Sequence, residues 1–187
     1  KRSIVLLKNE HRTLPLKDRD LRIALIGEMA NEAKENMLGS WSAKGRAKDV
    51  RSILDGLRSK GFSKIFYNKG VSCVREDTAG LAEAVRTAQH VEHILLCIGE
   101  NKRMSGEAQS RIHIEISENQ MQLARAIFAL GKPTTILLTN GRPLAIPELA
   151  EKAPAILEIW QLGTEAGDAV ADVLSGDYNP SGRLTVS

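Results

Sequence analysis

The chain has 187 residues, of which 42% are hydrophobic and 26% charged, so its composition is that of an ordinary globular protein with a core of its own. Its 26 Lys and Arg residues against 23 Asp and Glu give a net charge of only +3, with no basic block interleaved with aromatic residues, so a nucleic-acid partner is not expected. No apolar run approaches the roughly 18 residues of a membrane-spanning helix, so no membrane span is expected either.

Apolar runs alternate with helical patterns along the chain. Short apolar runs predict six strands, at residues 3–7, 22–27, 64–67, 93–98, 134–139 and 155–159. Apolar stripes at helical spacing predict five helices, at residues 49–61, 77–88, 117–131, 147–150 and 164–174. This alternation predicts an α/β fold, a three-layer α/β/α sandwich with a mostly parallel sheet. The first strand is expected at an edge in either direction, which allows one antiparallel edge strand.

Three of the predicted helices begin with candidate N-cap residues. Asp49 and Asp77 each stand just before an apolar stripe and can accept a backbone hydrogen bond there. Ser117 is followed three residues later by Gln120, the spacing of a capping box. Glycines are expected to end three helices, at Gly61, Gly131 and Gly176.

The carboxyl ends of parallel strands share one edge of the sheet, and that edge is the default location for a functional site. Polar residues, glycines and one tryptophan follow the predicted strands at this edge: Glu28, Asn68, Lys69, Gly99, Glu100, Asn140, Gly141, Arg142, Trp160 and Gln161. Two polar stretches, residues 30–48 and 100–115, are longer than the sheet requires. Long loops in a compact domain are usually functional or mobile, so both stretches are candidates for a site.

The segment 99–111 follows the most apolar predicted strand and concentrates charge on one loop. It carries two carboxylates, Glu100 and Glu107, together with three cations and two glycines. Glycoside hydrolysis needs one carboxylic acid that protonates the leaving oxygen and a second carboxylate across the sugar. Glu107 lies between a glycine and an alanine, which leaves room to approach a bound ring. The alternative is that Glu107 is a solvated ion-pair partner.

Trp41 is a second candidate, in the long polar stretch 30–48. Aromatic residues make up only 4% of the chain, and this tryptophan is flanked by small polar residues. Sugar rings stack on exposed aromatic faces, so Trp41 is a candidate sugar-binding residue. The alternative is that its indole closes over the core.

Other chemistries find little support in the sequence. Gly27 stands alone where a dinucleotide fingerprint needs three glycines, and the pair Gly56 and Gly61 lacks the Lys and hydroxyl residue of a phosphate loop. His90 and His93 have no third metal ligand nearby. No motif of a nucleophilic serine or thiol is present. We therefore expect neither a metal nor a cofactor.

The two cysteines, Cys73 and Cys97, leave the redox compartment undetermined. Cys97 lies in a predicted strand and is expected to pack as a small apolar residue. A Cys73–Cys97 disulfide is the less favoured alternative.

Six motifs occur in a fixed order over nearly the whole chain. They are SIVLLKN at 3–9, LGSW at 38–41, GENKRMSGEAQSR at 99–111, GKP at 131–133, NGRPL at 140–144 and GDYNPSGRL at 176–184. Together they resemble the C-terminal α/β sandwich domain of glycoside hydrolase family 3, the β-glucosidase and β-xylosidase group. Each motif alone is modest evidence, whereas six in order are strong evidence.

The resemblance implies roles for particular residues. By this resemblance Glu107 is the general acid/base, and Glu100 is the rival assignment. Trp41 is a wall of the aglycone subsite, and Arg111 is a further substrate-binding residue. The nucleophilic Asp of the family lies in a preceding (β/α)₈ barrel, and no barrel fits in this chain. Residues 1–187 are therefore expected to be one C-terminal domain of a longer chain, inactive by itself. The family has an aromatic residue where this chain has Gln161.

The resulting hypothesis is a domain of a retaining β-glycosidase, with an exo-acting β-glucosidase as the leading activity. Its expected partners are a β-linked oligosaccharide or glycoside and the barrel domain of the same chain. The alternative is a non-catalytic carbohydrate-binding or protein-interaction module. A periplasmic or secreted location is an expectation that rests on the resemblance.

Overall fold

The computed structural model describes residues 1–185 and is built around a six-stranded sheet. The strands are β1 (Val5–Asn9), β2 (Ile23–Ile26), β3 (Ile65–Asn68), β4 (His93–Gly99), β5 (Thr134–Thr139) and β6 (Ala155–Glu158). The helices are α1 (Ile53–Ser59), α2 (Leu81–Gln89), α3 (Glu118–Phe128), α4 (Pro147–Lys152) and α5 (Ala166–Ser175). None of these helices has both the length and the apolar character needed to span a membrane.

The sheet has the strand order β1-β6-β5-β4-β2-β3, and all the strands except β1 run parallel. Ile23 of β2, for example, is aligned with Ile65 of β3 on one side and with His93 of β4 on the other. β1 is an edge strand antiparallel to β6, with an irregularity between Leu6 and Lys8. The predicted α/β/α sandwich with one antiparallel edge strand is therefore confirmed.

Successive residues of the central strands belong to two different hydrophobic layers. Leu25 and Leu95 pack with residues of α1 and α5, whereas Ile94 and Leu96 pack with residues of α2, α3 and α4. Side chains alternate between the two faces of a strand, so a strand covered by helices on both faces must be apolar at every position. This explains the continuous apolar runs in the sequence.

The prediction that Asp49 caps α1 is wrong. The cap is Ser52, whose Oγ accepts a hydrogen bond from Asp55 N at 3.0 Å, while Ser52 N donates to Asp55 Oδ2 at 3.4 Å. Asp49 instead pairs with Arg46 at 2.7 Å. The chain cannot become helical earlier because the backbone of Arg51 is bonded to the loop before α5 and to the start of α5 itself.

The predictions at the starts of α2 and α3 are also wrong in detail. Asp77 Oδ1 accepts a hydrogen bond from Ala79 N at 3.3 Å, and this turn precedes the start of α2. Ser117 is the N-cap residue of α3 as predicted, but its side chain caps no backbone group of the helix, and its Oγ accepts from Gln120 Nε2 at 2.8 Å. Gln120 also bonds both backbone groups of Gly99, with Gly99 N donating to Oε1 at 2.9 Å and Nε2 donating to Gly99 O at 3.0 Å. The side chain of Gln120 thus joins the start of α3 to the end of β4 and does not complete a capping box. The glycine ends at Gly61, Gly131 and Gly176 are confirmed, since each has a positive φ after its helix.

Both cysteines are buried and free, so the alternative of a Cys73–Cys97 disulfide is not realised. The thiol of Cys73 donates to Glu28 Oε1 at 2.9 Å, and burial raises the pKa of that thiol to about 12. Burial likewise raises the pKa of Cys97, which packs in a strand as predicted. Neither cysteine is a thiolate near neutral pH.

Candidate active site

The loops that follow four of the parallel strands meet at the carboxyl edge of the sheet. Gln161, after β6, lies between Gly39 of the long loop after β2 and Gly141 of the turn after β5. A Cβ atom built on Gly39 would be 2.9 Å from Gln161 Oε1, and one built on Gly141 would be 3.3 Å from it. The same Cβ on Gly141 would be 2.1 Å from Oγ of Ser105, which belongs to the loop after β4. Glycine at positions 39 and 141 therefore lets these loops approach each other closely.

Glu107 and Trp41 line one groove at this edge, with a volume of about 380 Å³. Lys102, Arg103 and Gln109 also line the groove. Glu107 is exposed, and the indole of Trp41 is 73% exposed, so Trp41 does not close over the core. A carboxyl group beside an exposed aromatic face is an arrangement that can hold a sugar ring and exchange a proton with it.

The loop that carries Glu107 is held against the loop that carries Trp41. Gly106 has a φ of 108°, and a Cβ atom at this position would be 2.4 Å from Ser40 Oγ and 3.6 Å from Trp41 Nε1. Ala108 also has a positive φ, 58°, which is unusual for a residue with a side chain. The residues on both sides of Glu107 thus have positive φ angles. For Ala108 this backbone conformation is unfavourable by itself, so contacts with the surrounding loops must stabilise it.

Glu100 has a different environment from Glu107. Its side chain is 2% exposed, and its backbone N donates to Thr139 O at 2.8 Å. Arg111 Nη1 lies 2.5 Å from Glu100 Oε1, and Arg142 Nε lies 3.3 Å from Oε2. Glu100 and Arg111 are therefore paired with each other, and neither lines the groove that holds Glu107.

Arg142 connects Glu100 to the loop that carries Glu107. Its Nη2 donates to the carbonyl oxygens of Met104 and Gln109, the second at 2.6 Å, and these two residues flank the segment 105–108. In the sequence, Arg142 stands at the end of a predicted strand and in the motif NGRPL, and neither position indicates its role. Its partners could not be identified from sequence because they lie on a different loop.

A larger cavity of about 840 Å³ adjoins the groove and shares Lys102 and Arg103 with it. Lys69 and Arg75 line it from the loop after β3, and the Cys73–Glu28 pair also lines it. Within residues 1–185, no carboxylate forms an ion pair with any of these four cations. The cavity thus offers free cationic side chains next to the groove.

A second buried carboxyl group supports the same edge from the end of β6. Glu158 accepts hydrogen bonds from Asn140 Nδ2 at 2.9 Å and from Trp160 N at 3.0 Å. Burial raises the pKa of Glu158 to about 7, although both hydrogen bonds act in the opposite direction. Since the group is buried and already bonded at both oxygens, it joins the ends of β5 and β6 and does not face the groove.

The histidines considered as metal ligands lie elsewhere. His93 is buried at the amino end of β4, where its Nε2 is 2.9 Å from Thr135 Oγ1. His90 lies at the end of α2 and is exposed. Within the part of the chain that the structure describes, no group of three His, Cys, Asp or Glu side chains is arranged to hold a metal ion.

Comparison with known proteins identifies the relatives of this chain. The sequence profile described as the glycosyl hydrolase family 3 C-terminal domain matches residues 4–187. The periplasmic beta-glucosidase of Salmonella typhimurium is 40% identical over 99% of this chain, and a beta-xylosidase of Formosa agariphila is 38% identical over 100% of it. In both cases the match spans 27% of the relative.

Solved structures show the same relationship. The crystal structure of a beta-glucosidase from Listeria innocua superposes with a TM-score of 0.89 at 39% sequence identity, covering 97% of this chain and 24% of that one. The α/β sandwich with converging loops at its carboxyl edge is thus a fold shared with one domain of larger glycosidases. The chain belongs to the glycosyl hydrolase family 3 C-terminal domain family, which confirms the resemblance seen in the six motifs.

Proposed function

We propose that this chain is the domain of a retaining β-glycosidase that supplies the general acid/base, with exo-acting β-glucosidase as the leading activity. The observation that carries the proposal is the position of Glu107, an exposed carboxyl group that shares a groove with the exposed indole of Trp41 at the carboxyl edge of the sheet. Relatives named as beta-glucosidases and a beta-xylosidase support this class of reaction.

In the proposed mechanism Glu107 acts twice. Its protonated carboxyl group donates a proton to the glycosidic oxygen as the bond from the anomeric carbon to that oxygen breaks, while a second carboxylate forms a bond to the same carbon. The Glu107 carboxylate then takes a proton from water, whose oxygen displaces the second carboxylate. Trp41 provides the wall for the aglycone. Arg111, whose guanidinium group pairs with Glu100 outside the groove, is proposed as a further substrate contact.

We assign the acid/base role to Glu107 rather than to Glu100 because of their surroundings. Both oxygens of Glu100 are engaged by arginines, and its side chain is buried. A proton donor must reach the leaving oxygen within hydrogen-bond distance, and the exposed Glu107 can do so. Glu100 is better suited to hold the two arginines in place.

The proposal places residues 1–187 as one domain of a longer chain. The chain spans about a quarter of the length of the relatives it matches. We propose that the nucleophilic Asp comes from a (β/α)₈ barrel of the same chain, that the substrate is a β-linked oligosaccharide or glycoside, and that the isolated domain is inactive. The name of the Salmonella typhimurium relative supports a periplasmic or secreted location.

Glu107→Gln in the complete enzyme tests the proposal. We expect the rate of hydrolysis of an alkyl glucoside to fall by about 10²- to 10⁴-fold, since this poor leaving group needs a proton. Dinitrophenyl glucoside needs no proton to leave, so formation of the glycosyl–enzyme intermediate from it should change little. Kinetics on both substrates, with thermal unfolding of each variant, provide the measurement.

Two matched variants give the control. Glu115→Gln changes an exposed carboxylate on the same loop and should leave both rates unchanged. Glu100→Gln removes the charge that faces two arginines and should lower thermal stability, whereas Glu107→Gln should not. A wild-type rate of Glu107→Gln on the alkyl glucoside would refute the proposal. Tight binding of glucose or cellobiose by the isolated domain would favour the alternative of a binding module.

A further inference from the structure

We propose that Arg142 is a positioning residue for Glu107, an inference that rests on the proposed function. Arg142 holds together the two ends of the short segment that carries Glu107. Its Nη2 donates to Met104 O and to Gln109 O, so the four residues 105–108 form a closed loop across one guanidinium group.

The geometry of the guanidinium group suits this role. Nη2 carries two hydrogens, one for each carbonyl oxygen, and Nε carries the one that points to Glu100 Oε2 at 3.3 Å. The side chain of Arg142 is 19% exposed, so most of its surface is already removed from water. Glu100 is anchored at the end of β4, where its carboxylate faces both Arg142 and Arg111. The result is a fixed connection from the sheet to the loop.

The other supports of the loop are two close packing contacts, with Ser40 and with Gly141, and one backbone hydrogen bond. Gly106 and Ala108 have positive φ angles, and the segment itself contributes one backbone hydrogen bond, from Gln109 N to Gly106 O at 3.3 Å. The turn after β5 also supports the loop directly, because Gly141 lies against Ser105 so closely that a Cβ would be 2.1 Å from Oγ. Without Arg142, Met104 and Gln109 would lose the one group that bonds both of them, and the segment would keep only its packing contacts and this single backbone hydrogen bond.

The position of Glu107 controls only the steps in which it moves a proton. A displacement of about 1 Å from the productive geometry can cost about 10²-fold in rate. Loss of Arg142 should therefore slow substrates with poor leaving groups far more than it slows formation of the intermediate from activated substrates. A general loss of structure would instead reduce all of these rates together.

Arg142→Met and Arg142→Lys in the complete glycosidase test the inference. We expect each variant to lower kcat/KM for an alkyl glucoside by about 10²-fold, with a smaller effect on dinitrophenyl glucoside. Arg142→Lys keeps the charge that faces Glu100, but its donors share one nitrogen and do not reproduce the bonds that Arg142 makes from Nε and Nη2. Arg125→Met is the matched control, because Arg125 is bonded to Glu118 and Glu148 between α3 and α4, outside the groove.

The decisive measurement combines substitutions at Arg142 and Glu107. If Arg142 acts through Glu107, adding Arg142→Lys to Glu107→Gln should cause almost no further loss on the alkyl glucoside. Losses that multiply, or a loss in Arg142→Lys that is equal for all leaving groups, would overturn the inference. Should Arg142→Met fail to fold, Arg142→Lys decides alone. A wild-type rate of Glu107→Gln would instead defeat the proposed function, so the two failures are distinguishable.

Discussion

The side chains of the candidate site depend on contacts between residues that are far apart in the sequence. Glu107 and Trp41 share a groove because Gly106 packs directly on Ser40. Both residues could be singled out from the sequence, Glu107 by its charged loop at a strand end and Trp41 by its small polar neighbours. Their proximity could not, since nothing local to either loop records which other loop it packs against.

Trp41→Ala should weaken the binding of an aromatic aglycone. Stacking on an exposed ring is worth about 0.5–1.5 kcal/mol, so we expect KM for nitrophenyl glucoside to rise about 2- to 12-fold in the complete enzyme. KM for methyl glucoside should change less, because its aglycone has no ring to stack. Steady-state kinetics on both substrates provide the measurement.

Phe66→Ala is the control for Trp41→Ala. Phe66 is also an exposed aromatic residue, 48% accessible, but it lies on the edge strand β3 away from the groove. Equal changes in KM for the two variants would show that Trp41 does not contact the aglycone.

At the scale of secondary-structure elements, α1 and α5 pack with almost no space between their backbones. A Cβ built on Gly56 of α1 would be 2.2 Å from Gly167 O, and one built on Gly167 would be 1.9 Å from Ser52 O. Ser52 is the cap of α1, so the start of one helix lies directly against the other. The sequence predicts both helices but not this contact, because Gly56 and Gly167 each look like an ordinary helix-weakening glycine.

Gly167→Ala should therefore destabilise the fold. The added methyl group has no room against backbone atoms that cannot rotate away, and overpacking of this kind costs about 1–3 kcal/mol. Chemical denaturation of the variant and the wild type measures the difference. Gly131→Ala is the control, since a Cβ there meets nothing within 4 Å and only its positive φ costs about 1–2 kcal/mol. A smaller loss in Gly167→Ala than in Gly131→Ala would contradict the packing argument.

At the scale of the whole molecule, two buried groups should affect stability against pH in opposite directions. Burial lowers the pKa of His93 to about 4. Between about pH 4 and 6.5 the unfolded state therefore binds a proton on this side chain and the folded state does not, so its contribution to the free energy of unfolding rises with pH. Burial raises the pKa of Glu158 to about 7, so the folded state keeps a proton that the unfolded state releases above 4.5. Stability from this group falls with pH between about 4.5 and 7.

Because the two effects oppose each other, substitution of either His93 or Glu158 should expose the pH dependence of stability that comes from the other. Each contributes about 1.4 kcal/mol per pH unit within its window, with opposite sign, so the two nearly cancel in the wild type between pH 4.5 and 6.5. Relative to the wild type, His93→Gln should lose about 3 kcal/mol of stability from pH 4 to 6.5, and Glu158→Gln should gain about 3 kcal/mol from pH 4.5 to 7.

Denaturant unfolding over this pH range gives the measurement for both variants. His113→Gln is the control for removing a histidine, because the side chain of His113 is 86% exposed and lies outside the core. A profile of His93→Gln that runs parallel to the wild type would contradict the assignment.

The class of fold and the candidate carboxylates can be predicted from the amino-acid sequence. Strand and helix patterns are local, and a parallel sheet follows from their alternation, so the sandwich and the edge that carries Glu107 were predictable. Three features become visible only in the folded molecule: the direction of β1, the bonds from Gln120 to Gly99, and the link from Glu100 through Arg142 to the loop of Glu107. These features depend on which distant backbone groups and charges are brought together, and a one-dimensional pattern does not contain that information.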